Sequence, residues 1–246
     1  MRQLWVALLL CLMAVKTNSQ PVSALPNSIR VSQTLDNINE LSTGEVLYGV
    51  PQPEGKVVGD TYLNTNWMMS TLLLYDREKL LKGFPVRYDI QLDELEIKGK
   101  SGVKVLRGDK VKSFVLIDSL TNGPLYYVNA GEFKNAENVA LLGFFQVLAD
   151  GPKPLFKKTS ITIKRANYKV QFDVGSRDDK ILKKYDYFTL QDNIVAELPS
   201  AKKKLLLFFG DHAAEVEKFI DVNSLSINKE NHLKAIFEHY NSLVQH

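Results

Sequence analysis

Histidine is the side chain that hydrolytic enzymes most often use as a base, so its placement is the first test for chemistry in this sequence. The 246-residue chain has four histidines, His212, His232, His239 and His246, all within its last 35 residues. No Gly-x-Ser-x-Gly motif supplies a serine nucleophile elsewhere. His232 and His239 are seven residues apart, about 10 Å along one helix, which is too far for one metal ion. The sequence therefore predicts no catalytic residue, no cofactor and no metal site.

Paired carboxylates are the second test, because glycoside hydrolysis uses two of them on either side of the bond that breaks. Asp93, Glu94 and Glu96 cluster at a predicted hairpin turn. Asp93 and Glu94 are common turn-formers, and Glu96 is the outward residue between two apolar neighbours. The pattern favours a solvated turn. It leaves a hydrolase of an envelope or extracellular polymer as the alternative.

Three basic clusters are the third feature that could bind a ligand. They are Lys157-Lys158, Lys183-Lys184 and Lys202 to Lys204. Such clusters can contact an anionic lipid or an acidic glycan. Neighbouring acidic residues and the near-neutral net charge favour ordinary solvated faces. No glycine-rich phosphate loop accompanies them.

Aromatic side chains on the predicted strands give the best indication of a ligand or partner surface. Adjacent aromatic residues on a strand must point to opposite faces of the sheet, so one of each pair leaves the main core. That residue is either part of a ligand groove or covered by a second layer, for which the helical tail is the candidate. The predicted surface consists of Trp67, Tyr126, Tyr127, Phe144 and Phe145.

Residues 1–19 have the pattern of a secretory signal peptide, with Arg2, an apolar run from Leu4 to Val15, and a cleavage site before Gln20. The apolar run spans about 18 Å as a helix, too short for a membrane. Cys11 is the only cysteine, so cleavage leaves a mature chain that cannot form a disulfide. Loss of Arg2 and Lys16 leaves 29 basic against 28 acidic residues, a net charge of +1. This balance does not indicate a nucleic-acid partner, and no later segment is apolar enough to be transmembrane.

Residues 20–44 are rich in serine, threonine and asparagine and are predicted to be a leader or linker. Residues 45–199 then alternate between apolar and polar positions, which predicts strands. Trp67 to Tyr75 is one apolar run, typical of a buried strand. Short strands separated by glycine and aspartate turns follow, which predicts an antiparallel meander.

After Pro199 the apolar spacing changes to that of helices. Ser200 is predicted to cap a helix over residues 201–209 that ends at Gly210, and Asp211 and Asn228 are predicted to cap two more. Residues 200–246 are therefore a helical C-terminal appendage packed on the β-rich domain. The predicted fold class is α+β, predominantly antiparallel β, with the meander forming a sandwich or a partial barrel.

Several short motifs together resemble those of exported bacterial proteins that have no assigned activity. They lie at Gly59–Asn64, Phe84–Asp89, Asp93–Lys100, Gly210–Ile220 and His239–Leu243. The resemblance covers most of residues 55–243. It implies a β-rich envelope or secreted protein of Gram-negative bacteria with a helical tail, and it brings no catalytic residues.

These observations lead to one main functional prediction with two alternatives. The protein is predicted to be exported, to the periplasm or outside the cell, and to be a non-enzymatic binding or envelope-associated protein. The candidates for its partner are an envelope lipid, a glycan or a protein. The alternatives are the carboxylate-dependent hydrolase and a structural or interaction protein with no small ligand.

Overall fold

The structure is a computed structural model that describes residues 55–118, 123–169, 172–191 and 194–245. The described residues belong to one compact unit. The predicted signal peptide (1–19), the predicted leader (20–44) and the first ten residues of the predicted β region lie outside them.

The described residues form eleven strands that join in a single sheet. Across the sheet the order is β1-β10-β9-β8-β7-β6-β2-β3-β4-β5, and β11 pairs with β10. Most neighbours in this order are also neighbours in sequence, as expected for a meander. The strands are β1 (Val57–Val58), β2 (Met68–Leu74), β3 (Leu80–Asp89), β4 (Glu94–Gly99), β5 (Gly102–Arg107), β6 (Val111–Ile117), β7 (Pro124–Asn129), β8 (Phe144–Ala149), β9 (Leu155–Lys164), β10 (Asp179–Gln191) and β11 (Ile194–Glu197).

The predicted α+β class is confirmed. The named strands pair antiparallel except for β1, which runs parallel to β10. The sequence left open a sandwich or a partial barrel, and the strands form one sheet rather than the two stacked sheets of a sandwich. This sheet curls on itself and remains open.

The curl of the sheet is visible in the contact between β3 and β8. Three strands lie between these two in the sheet order, so a flat sheet would hold them about 19 Å apart. Instead, the rings of Tyr88 on β3 and Phe144 on β8 meet edge-to-face, with 5.2 Å between their centroids. The interior of the curl is a core built from β2 to β8. It contains Met68, Leu72, Val86, Tyr88, Leu95, Val111, Phe114, Leu116, Tyr127 and Phe144.

The segment between β1 and β2 links strands that are distant in the sheet order. Its N-terminal end, β1, pairs with the start of β10. Its other end pairs with β3, where the amide of Leu63 donates to the carbonyl of Tyr88 at 2.8 Å and the amide of Ile90 donates to Thr61 at 2.9 Å. This crossing segment helps to hold the sheet in its curled form.

A second core covers the opposite face of the sheet. Phe145 on β8 and Phe156 on β9 are buried there with Ala130 and Val195. The loop between β7 and β8 contributes Phe133, whose ring lies 5.2 Å from that of Phe156. The sheet is therefore layered on both faces in this region.

Three helices close the chain: α1 (Lys202–Leu206), α2 (Ala213–Val222) and α3 (Glu230–Val244). A 3₁₀ segment, Leu207–His212, joins the first two. The apolar residues of the helices repeat at helical spacing and pack on the ends of β8 and β9. This third core contains Ala149, Leu155, Leu205, Leu206, Phe209, Val216, Ile220, Leu233, Ile236 and Phe237. Within the described ranges, no helix is long and apolar enough to span a membrane.

Candidate functional site

A cavity of about 440 Å³ opens at one edge of the curled sheet. It lies between the end of β3 with its turn into β4, the first residues of β8, and the distal half of β9. Its lining combines aliphatic and aromatic side chains with a few polar ones, as ligand sites in proteins commonly do. The lining residues are Tyr88, Ile90, Gln91, Asp93, Leu142, Gly143, Phe144, Lys158, Thr159, Ser160, Ile161 and Ile163.

The cavity exists because β8 is shorter than β9. The last residue pair of these two strands toward the cavity is Phe145 with Lys158. The pairing of β9 with β10 continues six residues further, to Lys164. From Thr159 to Lys164, β9 therefore has a partner strand on one side only among the described residues. The other side of β9 faces the cavity.

Gly143 directs the chain into β8 beside the cavity. Its φ is +79°, a conformation that residues with a side chain rarely adopt. A Cβ atom at this position would lie 3.2 Å from the hydroxyl of Tyr88. Glycine thus allows both the backbone turn and the close approach of Tyr88 to the start of β8.

The opposite wall is the turn between β3 and β4, which the buried carboxylate of Asp89 holds in place. Asp89 accepts hydrogen bonds from the hydroxyl of Thr61 at 2.7 Å and from the amides of Gln91 and Leu92 at 2.9 and 3.1 Å. This arrangement satisfies the backbone of the tight turn. Asp89 is therefore occupied by the fold.

Asp93 lines the cavity and is bonded on its inner side. The hydroxyl of Tyr88 donates to Oδ1 of Asp93 at 2.7 Å. Burial, and then this hydrogen bond and the charge of Asp93, raise the pKa of Tyr88 far above its ordinary value. Tyr88 therefore remains a neutral donor at any physiological pH.

Lys158 is the cationic group of the cavity. Its side chain is partly buried, and loss of solvation lowers its pKa, while the nearby carboxylates of Asp186 and Asp93 oppose this shift. No described residue forms an ion pair or hydrogen bond with its amine. Lys157, the next residue, differs in this respect because its amine lies 2.8 Å from Glu230 on α3. Lys158 is therefore available to an anionic ligand.

The apolar part of the cavity lining includes two isoleucines of β9 and a leucine just before β8. Ile161 and Ile163 alternate with Thr162 along β9 and share one face of it. Leu142 precedes β8 and is 80% exposed, an unusual degree for a leucine beside a cavity. A bound apolar group would cover this surface.

The structure does not bring the five predicted aromatic residues together. Phe144 lines the cavity and packs with Tyr127 in the core of the curl, while Phe145 is buried on the opposite face. Tyr126 is 52% exposed, away from the cavity lining. Trp67 is half-buried and its ring lies against the guanidinium of Arg87, 4.6 Å from ring centroid to Cζ.

The two residues of each adjacent pair, Tyr126-Tyr127 and Phe144-Phe145, do point to opposite faces of the sheet, as strand geometry requires. One residue of each pair joins the core of the curl. Phe145, from the second pair, is covered by the loop between β7 and β8 rather than by the C-terminal helices. A second layer thus covers Phe145, whereas Tyr126 remains open to solvent.

The predicted carboxylate cluster is divided between two environments. Glu96 accepts from the guanidinium of Arg87 at 2.6 Å and from the hydroxyl of Tyr62 at 2.9 Å. Asp93 alone of the predicted cluster is among the described residues of the cavity lining. No group of three or more histidine, cysteine, aspartate or glutamate side chains that could hold a metal ion occurs in the described part of the chain.

The residues that define the site were not predicted from the sequence, apart from Phe144 and the clusters that contain Asp93 and Lys158. From the sequence, Tyr88 is predicted to be a core residue, and Ile161 and Ile163 are predicted to be ordinary strand residues. The fold and site together define a single-sheet α+β protein with an edge cavity. Comparisons with known protein families, with curated proteins and with solved structures gave no match.

Proposed function

We propose that the protein is an exported, non-enzymatic binding protein whose ligand occupies the edge cavity. The ligand combines an apolar part with an anionic group. One observation supports this most directly: Lys158 lies in an otherwise largely apolar cavity with no described ion-pair partner. A partly desolvated ammonium without a partner is unfavourable in the unbound protein.

An anion bound beside Lys158 would relieve that cost. It would stabilise the charged amine and raise the pKa of Lys158 toward or above its ordinary value. A charge-assisted hydrogen bond contributes about 1.5–3 kcal/mol, which corresponds to roughly ten- to a hundredfold in affinity. Asp93, on the opposite wall, would favour a ligand whose anionic group lies at the Lys158 end.

The apolar part of the ligand would contact Leu142, Ile161 and Ile163. Each methylene group removed from water contributes about 0.8 kcal/mol. The exposed side chain of Leu142 offers such a contact without any rearrangement of the core. This preference for an amphiphilic anion is consistent with an envelope lipid, a glycan carrying acidic groups, or a protein segment.

Export is the second half of the proposal and is supported by the sequence of residues 1–19. Expression of the full chain in a Gram-negative host tests it. The expected result is recovery from the periplasm or medium of a chain that begins at Gln20, as read by intact mass. Retention of Met1 to Ser19 in a cytoplasmic product would contradict export.

Fluorescence titration with anilinonaphthalene sulfonate, an aromatic anion, tests the binding site. Lys158→Gln is expected to weaken binding about tenfold. Lys104→Gln, on the exposed edge strand β5, is the matched control and should not change it. Leu142→Asp should also weaken binding, whereas Leu207→Asp, at a residue 77% exposed in the 3₁₀ segment, should not. Equal binding by all four variants would refute the assignment of the cavity.

A paired-carboxylate hydrolase has less support. Such enzymes hold two carboxylates about 5–10 Å apart across the bond that breaks. The described lining of the cavity provides Asp93 and no second carboxylate. Asp93 also accepts a hydrogen bond from Tyr88, which ties it to the fold.

A further inference from the structure

We infer that the ligand of the cavity is an extended peptide that adds as a strand to the free edge of β9, from Thr159 to Lys164, and carries acidic residues at both ends. This inference rests on the proposed function, because it names the chemical class of ligand for the same cavity. It is carried by the backbone of β9 and by two lysines.

The backbone edge is the first part of the argument. Pairing with β8 ends at Lys158, and the pairing with β10 continues to Lys164. No described residue forms a backbone hydrogen bond with the cavity side of this stretch. Alternate residues of a strand direct their N–H and C=O groups to the same side, so this edge offers unpaired donors and acceptors. Another extended backbone can form hydrogen bonds with these groups, as β8 does with the part of β9 from Leu155 to Lys158.

The composition of the edge is the second part. Thr159-Ser160-Ile161-Thr162-Ile163 is dominated by β-branched residues and has no charge, proline or glycine. Proteins commonly protect exposed sheet edges with charged residues or proline. The terminal strand β5 is protected in this manner, by Lys104 and Arg107. The cavity edge of β9 is unprotected over five residues, as expected for an edge that receives a partner strand.

The charges at the two ends of the edge are the third part. Lys158 and Lys164 bracket the uncharged run, and neither forms an ion pair with any described residue. Both have even positions on the strand and so share one face. They are six residues apart, about 20 Å along the strand. In a seven-residue peptide with an acidic residue at each end, six residues would pair with Thr159 to Lys164, and the acidic residue at one end would lie opposite Lys164. The unpaired acidic residue at the other end would lie beside Lys158, whose own paired position is held by Phe145.

The side chains between these ends follow from the alternation of the strand. Residues paired opposite Thr159, Ile161 and Ile163 point to the face of the sheet that carries these side chains. Small β-branched apolar residues suit these positions. The peptide residues paired opposite Ser160 and Thr162 point to the other face of the sheet, and threonine suits these two positions.

The probe is therefore a seven-residue peptide with blocked ends, an aspartate at each terminus, valine at positions two, four and six, and threonine at positions three and five. Its binding is measured by calorimetry on the mature chain. Hydrogen–deuterium exchange then reports whether amides of residues 159–164 become protected. The control peptide has the same side chains and methyl groups on its backbone nitrogens, so that it cannot donate.

Binding of the probe with slower exchange across 159–164, and no binding of the methylated peptide, is the expected result. Ile161→Lys places a charge on the edge and should abolish binding. Val103→Lys, on the exposed strand β5, is the matched control. Lys164→Gln should weaken binding about two- to fivefold, as expected for an exposed ion pair.

Three results would overturn the inference. If anilinonaphthalene sulfonate binds in a Lys158-dependent way but the peptide does not protect the edge, the proposed function stands and the peptide inference fails. If neither probe binds, both fail. If the protein alone forms a dimer that Ile161→Lys disrupts, a second copy occupies the edge in place of a peptide ligand.

Discussion

The hydroxyl of Tyr88 donates a 2.7 Å hydrogen bond to Oδ1 of Asp93, across the turn that joins β3 to β4. The ring of the same tyrosine packs against Phe144 at the start of β8, so one side chain connects both walls of the cavity. Asp93 itself has a φ of +53° and accepts a backbone hydrogen bond from Gly108 at 2.7 Å. The position of the cavity wall is thus set by contacts inside the core of the curl.

Removal of this hydrogen bond is expected to destabilise the protein. Tyr88→Phe keeps the ring and its contact with Phe144 but leaves the carboxylate of Asp93 without its donor. The expected loss in unfolding free energy is about 1–2 kcal/mol, measured by urea denaturation at neutral pH. Tyr126→Phe is the control, because the exposed hydroxyl of Tyr126 forms no hydrogen bond with a described residue. An equal loss in both variants would contradict a special role for the Tyr88–Asp93 bond.

Three tyrosines with raised pKa values predict a loss of stability at alkaline pH. Burial is the main cause that raises the pKa of Tyr75 and Tyr187 to about 12, and it raises the pKa of Tyr88 further. The unfolded value is about 10, so the neutral form is favoured in the folded protein. The contribution of these neutral tyrosines to stability is complete below about pH 10. It is lost as the pH rises through their pKa values in the folded protein.

Denaturation series between about pH 9 and 12 measure this dependence. The slope of stability against pH should be smaller in Tyr88→Phe than in the wild type, since one group with a raised pKa is removed. Tyr126→Phe should retain the wild-type slope. An unchanged slope in Tyr88→Phe would show that Tyr88 ionises at the same pH in the folded and unfolded chains.

Most strands were predictable because they have a local pattern. The apolar run from Trp67 to Tyr75 forms β2, and the alternation through Val86 and Tyr88 forms β3, with both of these side chains buried. The hairpin at Gln191 joins β10 and β11 as expected. Strand β10 begins earlier than predicted, at Asp179, because its pairing with β9 continues where the sequence is rich in lysine.

The helix ends were predicted less well. The sequence predicts Ser200, Asp211 and Asn228 as the N-cap residues of the three helices. In the structure each helix begins one residue later, and the N-cap residues are Ala201, His212 and Lys229. None of these three forms a side-chain hydrogen bond that caps its helix. Gly210 has a φ of +54° and lies inside the 3₁₀ segment rather than directly after a helix that ends at residue 209. The helices pack against Leu155 and its neighbours, a contact that a local capping motif does not reveal.

The cavity could not be predicted because its walls come from distant parts of the chain. Asp93, Leu142 and Lys158 carry no mutual signal in the sequence, and their meeting depends on how far the sheet curls. The free edge depends on a difference in length between β8 and β9. The uncharged run between Lys158 and Lys164 was visible in the sequence, but an identical run in a central strand would be fully paired.

The attachment of α3 to the sheet gives a third prediction. The side chain of Asn241 is buried, accepts from the amide of Lys153 at 2.9 Å, and donates to the carbonyls of Asp150 and Lys153. Asn241→Ala removes these three hydrogen bonds to the backbone of the β8–β9 turn. The expected cost is about 2–3 kcal/mol, measured by thermal and urea unfolding. Asn223→Ala, at an exposed residue that bonds only within its own helix, should cost much less.

Two adjacent lysines on β9 should respond in opposite directions to the same substitution. Lys157→Met removes the ion pair with Glu230 and the contact of its amine with the ring of Tyr185 at 4.5 Å, so stability should fall by about 1 kcal/mol. Lys158→Met removes a partly desolvated ammonium that has no described ion-pair partner, so stability at neutral pH should rise. Urea denaturation of both variants measures the two signs.

The pH dependence of the stability change in Lys158→Met distinguishes an electrostatic cause from better apolar packing. The lowered pKa means that the folded protein disfavours the charged amine, a cost that is complete below the folded pKa. This cost disappears as the pH approaches the unfolded value of about 10.4, where the amine is neutral in both states. The stabilisation by Lys158→Met should therefore shrink between neutral pH and about pH 10. A constant difference would mean that the methionine gains its stability from apolar contacts, and the case for an anion beside Lys158 would lose its electrostatic basis.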